Sequence, residues 1–171
     1  MGSSGYGAAF DGTSLSYVSG TDPDLSILDT VTAPASLLQA VYLENPTQIA
    51  ALSESALYVY SVESGALVLS QTLTITGGSD LTCTPDQDVL LIGTSAGVAL
   101  YKADLGVWSL FSTVGSDAVA TVWCGATSLS SASSPTILSA SGNLVSVLSP
   151  SGGTWVSVGD ITMPGPAASI A

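Results

Sequence analysis

Residues 31 to 41 read VTAPASLLQAV, and a segment in the same register recurs three times along the chain. The copies are LTITGGSDLTC at 73 to 83, VGSDAVATVWC at 114 to 124 and ITMPGPAASIA at 161 to 171. Pro34 falls on Pro164 and Val41 on Ala171. The copies begin 42, 41 and 47 residues apart, and a period of this size marks a chain built from one supersecondary unit per repeat. The last copy stops where its continuation should begin. The first 41 residues have the length of that continuation, so four whole units account for all 171 residues. The expectation is a ring whose two ends meet in one unit.

Each unit divides into short strand candidates separated by turn signals. Residues 6 to 30 hold GYGAAFD, LSYVS and LSILDT around Gly12-Thr13 and Thr21-Asp22-Pro23-Asp24. Residues 37 to 73 hold LLQAVYL, TQIAALS, ALYVYSV and LVLSQTL, joined at Asn45-Pro46, Ser53-Glu54-Ser55 and Glu63-Ser64-Gly65. The next unit holds DLTCT, DVLLIG, GVALYKA and VWSLFSTV, with Tyr101, Gly106 and Leu110 on the places of Tyr60, Gly65 and Leu69. The last holds AVATVWC, PTILSAS, NLVSVLS and TWVSVGDI, its extra length lying mostly in the serine-rich SLSSASSP at 128 to 135. Alternation with period 2 and the Val, Ile, Tyr and Leu content favour pleated strands. Gly, Ser and Thr dilute every window in which a helical stripe would have to persist.

Four antiparallel strands per unit, four units per chain, resembles the β-propeller repeat proteins, whose blades are four-stranded sheets set radially. The resemblance implies an all-β, four-bladed β-propeller in a single domain over 1–171. Blade 1 would be 6–30 plus 167–171, blade 2 37–73, blade 3 79–114 and blade 4 118–161. The C-terminal strand AASIA, at 167–171, would be the innermost strand of the N-terminal blade, which removes exposed sheet edges. The resemblance is one of architecture. The chain has no His and so no Gly-His and Trp-Asp signature. The Gly-Gly pair that kelch blades carry after their second strand is missing, and SPSGGTW at 149 to 155 lacks the Asp of an Asp-box hairpin.

Charge narrows the partners. Thirteen acids stand against a single base, Lys102, for a formal charge of −12. Nucleic acid and anionic membrane surfaces both require clustered Lys and Arg, so neither is expected as a partner. Apolar runs such as VLLIG are far shorter than the roughly 20 residues of a membrane-crossing helix. MGSSGYGAAF has no basic residue and no long apolar core, so it does not read as a secretory signal.

The chemistry-bearing residues form no catalytic, cofactor or metal constellation, and none is expected. Cys83 and Cys124 share one slot, the end of the first strand of adjacent units. They read as small apolar positions of an inner wall, with an inter-blade disulfide or a metal site as lesser alternatives. Asp22 with Asp24, and Asp86 with Asp88, read as turn residues that bond their own backbone before they read as calcium ligands. A Ser nucleophile with a His base is impossible without His, while paired carboxylates remain chemically possible. Tyr58, Tyr60, Tyr101, Trp108, Trp123 and Trp155 are expected mainly in core packing, and any that faces outward would anchor a sugar or a protein.

The leading functional expectation is a non-catalytic structural or attachment subunit of a particle, a bacteriophage virion protein of the capsid-decoration or tail kind. Its partners would be protein: further copies of itself or capsid and tail proteins. The alternative is a secreted carbohydrate-binding propeller. A glycosidase-like enzyme stands third.

Overall fold

The computed structural model describes residues 5–21, 24–44, 47–124, 136–151 and 154–166. Among the described residues there are fifteen strands and no helix. They are β1 (Gly5–Phe10), β2 (Ser14–Thr21), β3 (Asp24–Thr32), β4 (Gln39–Leu43), β5 (Gln48–Leu52), β6 (Ala56–Glu63), β7 (Ala66–Thr74) and β8 (Asp80–Cys83). The chain continues with β9 (Val89–Thr94), β10 (Gly97–Asp104), β11 (Val107–Val114), β12 (Thr121–Cys124), β13 (Ile137–Ser141), β14 (Leu144–Ser151) and β15 (Thr154–Thr162). Each strand pairs antiparallel with its chain neighbour, in four sheets: β1 to β3, β4 to β7, β8 to β11 and β12 to β15. The first sheet has three strands, with β1 at its edge. The segment expected beside β1, 167–171, lies outside the described residues, as does SLSSASSP.

Fifteen of the sixteen expected strands fall on described residues and form, and the first strand of two units, β4 and β12, begins later than its apolar run suggests. The reason lies in the backbone. Leu37 N–H bonds the carbonyl of Gly12, and Val119 N–H bonds that of Thr94. Both groups are committed to a neighbouring sheet before their own ladder starts.

The repeat is written into the hydrogen-bond register. In every sheet the last strand carries one extra residue at the same place: Leu28, Ser70, Phe111 and Val158. These positions are spaced by 42, 41 and 47, the spacing of the sequence copies. A bulge of this kind bends its strand and increases the local twist, so all four sheets are distorted alike. The turn leading into the penultimate strand is also repeated in the first three sheets. Asp11 Oδ1 accepts the N–H groups of Thr13 at 3.0 Å and Ser14 at 2.7 Å. Ser53 Oγ accepts from Ala56 N–H at 3.0 Å, and Thr94 Oγ1 donates to Gly97 O at 2.8 Å. The hairpins Ser64-Gly65 and Leu105-Gly106 have positive φ at both central residues, 53° and 87° in one and 50° and 83° in the other. Their backbone twist suits two-residue hairpin loops.

The chain divides into two compact units, Met1–Ile75 and Thr76–Ala171, each of two sheets. In the first unit, Leu15 and Tyr17 of β2 join Ile49, Ala51, Tyr58 and Tyr60 in one buried cluster. Asp29 Oδ2 accepts the N–H of Leu67 at 2.7 Å, tying β3 to β7, the last strands of their sheets. In the second unit, Val89, Leu91, Val98 and Leu100 join Val119, Val122, Ile137 and Leu148. Burying a side chain of this size contributes about 1.5–3 kcal/mol. Asp80 Oδ2 accepts the Thr121 hydroxyl at 2.6 Å and the Val122 N–H at 2.9 Å, joining β8 and β12, the first strands of their sheets. A backbone amide on a sheet edge is thereby satisfied by a side chain.

Candidate functional site

The aromatic residues singled out from sequence are largely interior. Tyr58, Tyr60, Tyr101 and Trp108 are buried, and Trp123 and Trp155 are half-buried. The Tyr60 hydroxyl is buried with no hydrogen-bond partner, and burial raises its pKa, with Tyr58 adding to the shift. Burial likewise raises the pKa of Tyr101.

An aromatic group that sequence reasoning missed lies in the first unit. Tyr6 of β1, Tyr17 of β2 and Tyr42 of β4 stack, with ring centroids 5.6 Å apart for Tyr6 and Tyr17 and 6.1 Å apart for Tyr17 and Tyr42. Tyr17 is buried while Tyr6 is 55% exposed. Burial raises the Tyr17 hydroxyl pKa most; the neighbouring Tyr42 and Tyr6 and a hydrogen bond with Tyr42 add to the shift. Tyr6 and Tyr17 sit on adjacent strands offset by two places. Tyr42 comes from a different sheet, so no local pattern announces the stack.

Neither Cys83 nor Cys124 is in a disulfide, and both are half-buried. Burial, then the charge of Asp86, raises the pKa of Cys83. Burial, Asp86 and Cys83 together push Cys124 up to about 11. A thiol held neutral is a weak nucleophile and a weak metal ligand. Among the described residues, no three His, Cys, Asp or Glu side chains gather where they could hold a metal ion. Asp86 Oδ1 accepts the N–H of Asp88 at 3.4 Å, the local turn bonding expected of that pair. Asp22 lies outside the described residues, and Asp24 opens β3.

A concavity lined by hydroxyls lies in the second unit. It is a cleft of about 480 Å³ counting its open mouth, lined by Ser116, Asp117, Ser139, Ser141, Ser146 and Ser157, with Val114, Val119, Leu144 and Leu148 among its apolar lining. Beside it, Asp160 Oδ1 accepts the hydroxyls of Ser146 at 2.7 Å and Ser157 at 3.2 Å. Hydroxyls and a carboxylate over an apolar floor can hold a neutral polyhydroxyl molecule, giving hydrogen bonds to its edge and contact to its C–H face. One sequence signal pointed here: Ser139 and Ser157 stand where the preceding repeat has Ile92 and Leu110.

No protein-family model matches the chain, and no curated protein does either. Among solved structures, a protein from Lactobacillus plantarum is similar over 92% of this chain with a TM-score of 0.68 and 16% identity. The chain spans about half of that protein, 53% of its length. At this identity the likeness shows the fold alone. Together with the antiparallel sheets it defines an all-β protein compatible with a propeller-like β fold.

Proposed function

We propose that each sheet is one blade of a four-bladed, propeller-like chain, and that the chain is a non-catalytic structural or attachment subunit of a particle, a bacteriophage virion protein of the capsid-decoration or tail kind. One observation carries this reading. The outer strands of all four sheets present exposed apolar side chains: Ile27 on β3, Leu69 on β7, Leu110 and Phe111 on β11, and Val158 on β15. Neither β7 nor β11 has a charged residue, in a chain with thirteen acids. Apolar, charge-free surface rimmed by polar residues is what a protein partner covers. In purified particles the chain should occur at a fixed stoichiometry. Recovery only as a free cellular protein would sink the proposal.

The serine-lined cleft favours a second reading, a secreted carbohydrate-binding protein. A glycan array run at high protein concentration tests it, and a blank array removes it. A glycosidase built on Asp117 and Asp160 stands behind both, and a panel of chromogenic glycosides left intact removes that one.

A further inference from the structure

One cross-strand row of the fourth sheet differs in kind from its counterparts. Register sets Val122 of β12, Ser139 of β13, Ser146 of β14 and Asp160 of β15 side by side. The matching row of the third sheet is Leu81, Ile92, Ala99 and Thr113, and that of the second is Ala40, Ala51, Tyr58 and Thr72. Ser139, Ser146 and Asp160 each stand 47 residues after Ile92, Ala99 and Thr113. Ile92 is fully buried and Ala99 nearly so. Where the third sheet has an isoleucine side chain the fourth has a hydroxymethyl group, and the cleft that Ser139 lines occupies the room this leaves.

Ser139 is 8% exposed, too withdrawn to be a solvated surface serine. Its hydroxyl has no hydrogen-bond partner among the described residues and borders the cleft, so its bond goes to whatever occupies that space. The other polar groups are mostly acceptors. Ser146 and Ser157 donate to Asp160 Oδ1, which leaves their oxygens to accept. Asp160 and the exposed Asp117 are carboxylates, which accept only. Lys102, the one base of the chain, does not line the cleft. Every residue involved belongs to the second compact unit.

We infer that this cleft takes an amino sugar with a free amine, its ammonium group drawn to the carboxylates of Asp117 and Asp160 and its hydroxyls bonded by Ser139 and the neighbouring serines. The inference rests on the carbohydrate reading of the cleft and adds the charge of the ligand. An ammonium brings three donors and a positive charge to a set of acceptors, and hydrogen bonds to charged groups are roughly twice as strong as neutral ones. A sugar acid would set a third carboxylate beside two, with no base to offset it. Val119, Leu144 and Leu148 receive the C–H face of the ring. About 480 Å³, counting the open mouth, falls within the roughly 300–1,000 Å³ of small-molecule sites, in the lower half that suits a single ring.

The test is titration calorimetry on the full chain with glucosamine, glucose and glucuronic acid at about pH 6, where an amine of this kind is protonated and a sugar acid ionised. Glucosamine should bind about tenfold tighter than glucose, the gain of a charged over a neutral hydrogen-bonded group, and glucuronic acid more weakly than either. Asp117→Asn combined with Asp160→Asn removes the charge at constant size and should bring glucosamine and glucose to the same affinity. Ser139→Ile writes the third sheet's residue into the fourth and should abolish binding of both; if its circular dichroism shows the β signal lost, Ser139→Val takes its place. Equal affinity for glucosamine and glucose in the wild type, with both lost in Ser139→Ile, overturns the inference and leaves the carbohydrate reading standing. No binding of any of the three sugars overturns both. Glucosamine binding that survives Ser139→Ile, or a preference that survives the double Asp variant, overturns the placement of the amine in this cleft.

Discussion

Replacing Asp80 by Ala removes the acceptor that joins the first strands of the third and fourth sheets, β8 and β12. Asp80 Oδ2 lies 2.6 Å from the Thr121 hydroxyl and 2.9 Å from the Val122 nitrogen. Both donors belong to residues largely withdrawn from water, at 7% and 4% exposure, so water reaches them poorly once the carboxylate is gone. Each buried donor left unpaired costs about 1–3 kcal/mol, which gives an expected loss of about 2–6 kcal/mol from two donors. A domain of ordinary stability holds about 5–15 kcal/mol, so the variant should remain folded but weakened. With a urea m-value of about 1–3 kcal/mol/M, the unfolding midpoint should fall by about 1–2 M. Asp80→Asn keeps one carbonyl acceptor and should recover part of the loss. A double-mutant cycle with Thr121→Val isolates the hydroxyl's share, since the two single costs will not add if the groups touch. A midpoint for Asp80→Ala within about 0.3 M of the wild type, at an unchanged m-value, would refute the reasoning that this carboxylate is structural.

Gly97 has φ of 116°, and a Cβ there would strike the carbonyl oxygen of Val114. Gly97→Ala should therefore cost more than the 1–2 kcal/mol of a left-handed residue alone, and a thermal midpoint equal to the wild type would contradict the hairpin geometry. Leu105 has φ of 50° and is 99% exposed; Leu105→Asn should raise stability by up to about 1 kcal/mol, because Asn tolerates this region, and a drop in thermal midpoint would count against the turn assignment. In alkali, an unfolded thiol loses its proton near its usual value of 9, whereas Cys124 holds its proton to about 11. Between these values the unfolded state binds fewer protons, so this contribution is intact below about pH 9 and falls away as pH rises to about 11. Cys124→Ala should flatten that part of the melting-temperature profile, and an unchanged slope there would show that the thiol is not shielded.

How far sequence reaches is clearest at particular residues. Strand positions were legible because alternation and turn residues act over a few neighbours. Gly65 and Gly106 end the same turn in two units, and Ser53 and Thr94 hold the same corner. The expectation that Tyr58, Tyr60, Tyr101 and Trp108 pack inside follows from the same apolar pattern, and the structure buries all four. The cleft was visible only as an oddity, serine at positions 139 and 157 where the sister unit is apolar.

What the sequence determined by itself is the repeat: its period, its strands and its charge-poor composition, all properties of residues read one after another. Tertiary structure alone decided which strands meet across sheets. It set Tyr42 against Tyr6 and Tyr17, aimed Asp80 at Thr121 and Val122, and buried every residue of β5 and β9 while leaving Leu25 and Ile27 of β3 exposed. The physical reason is that alternation tells which residues share a face but not what covers it. Cover depends on twist and on the bulges at Leu28, Ser70, Phe111 and Val158, and on partners about forty residues away in the chain.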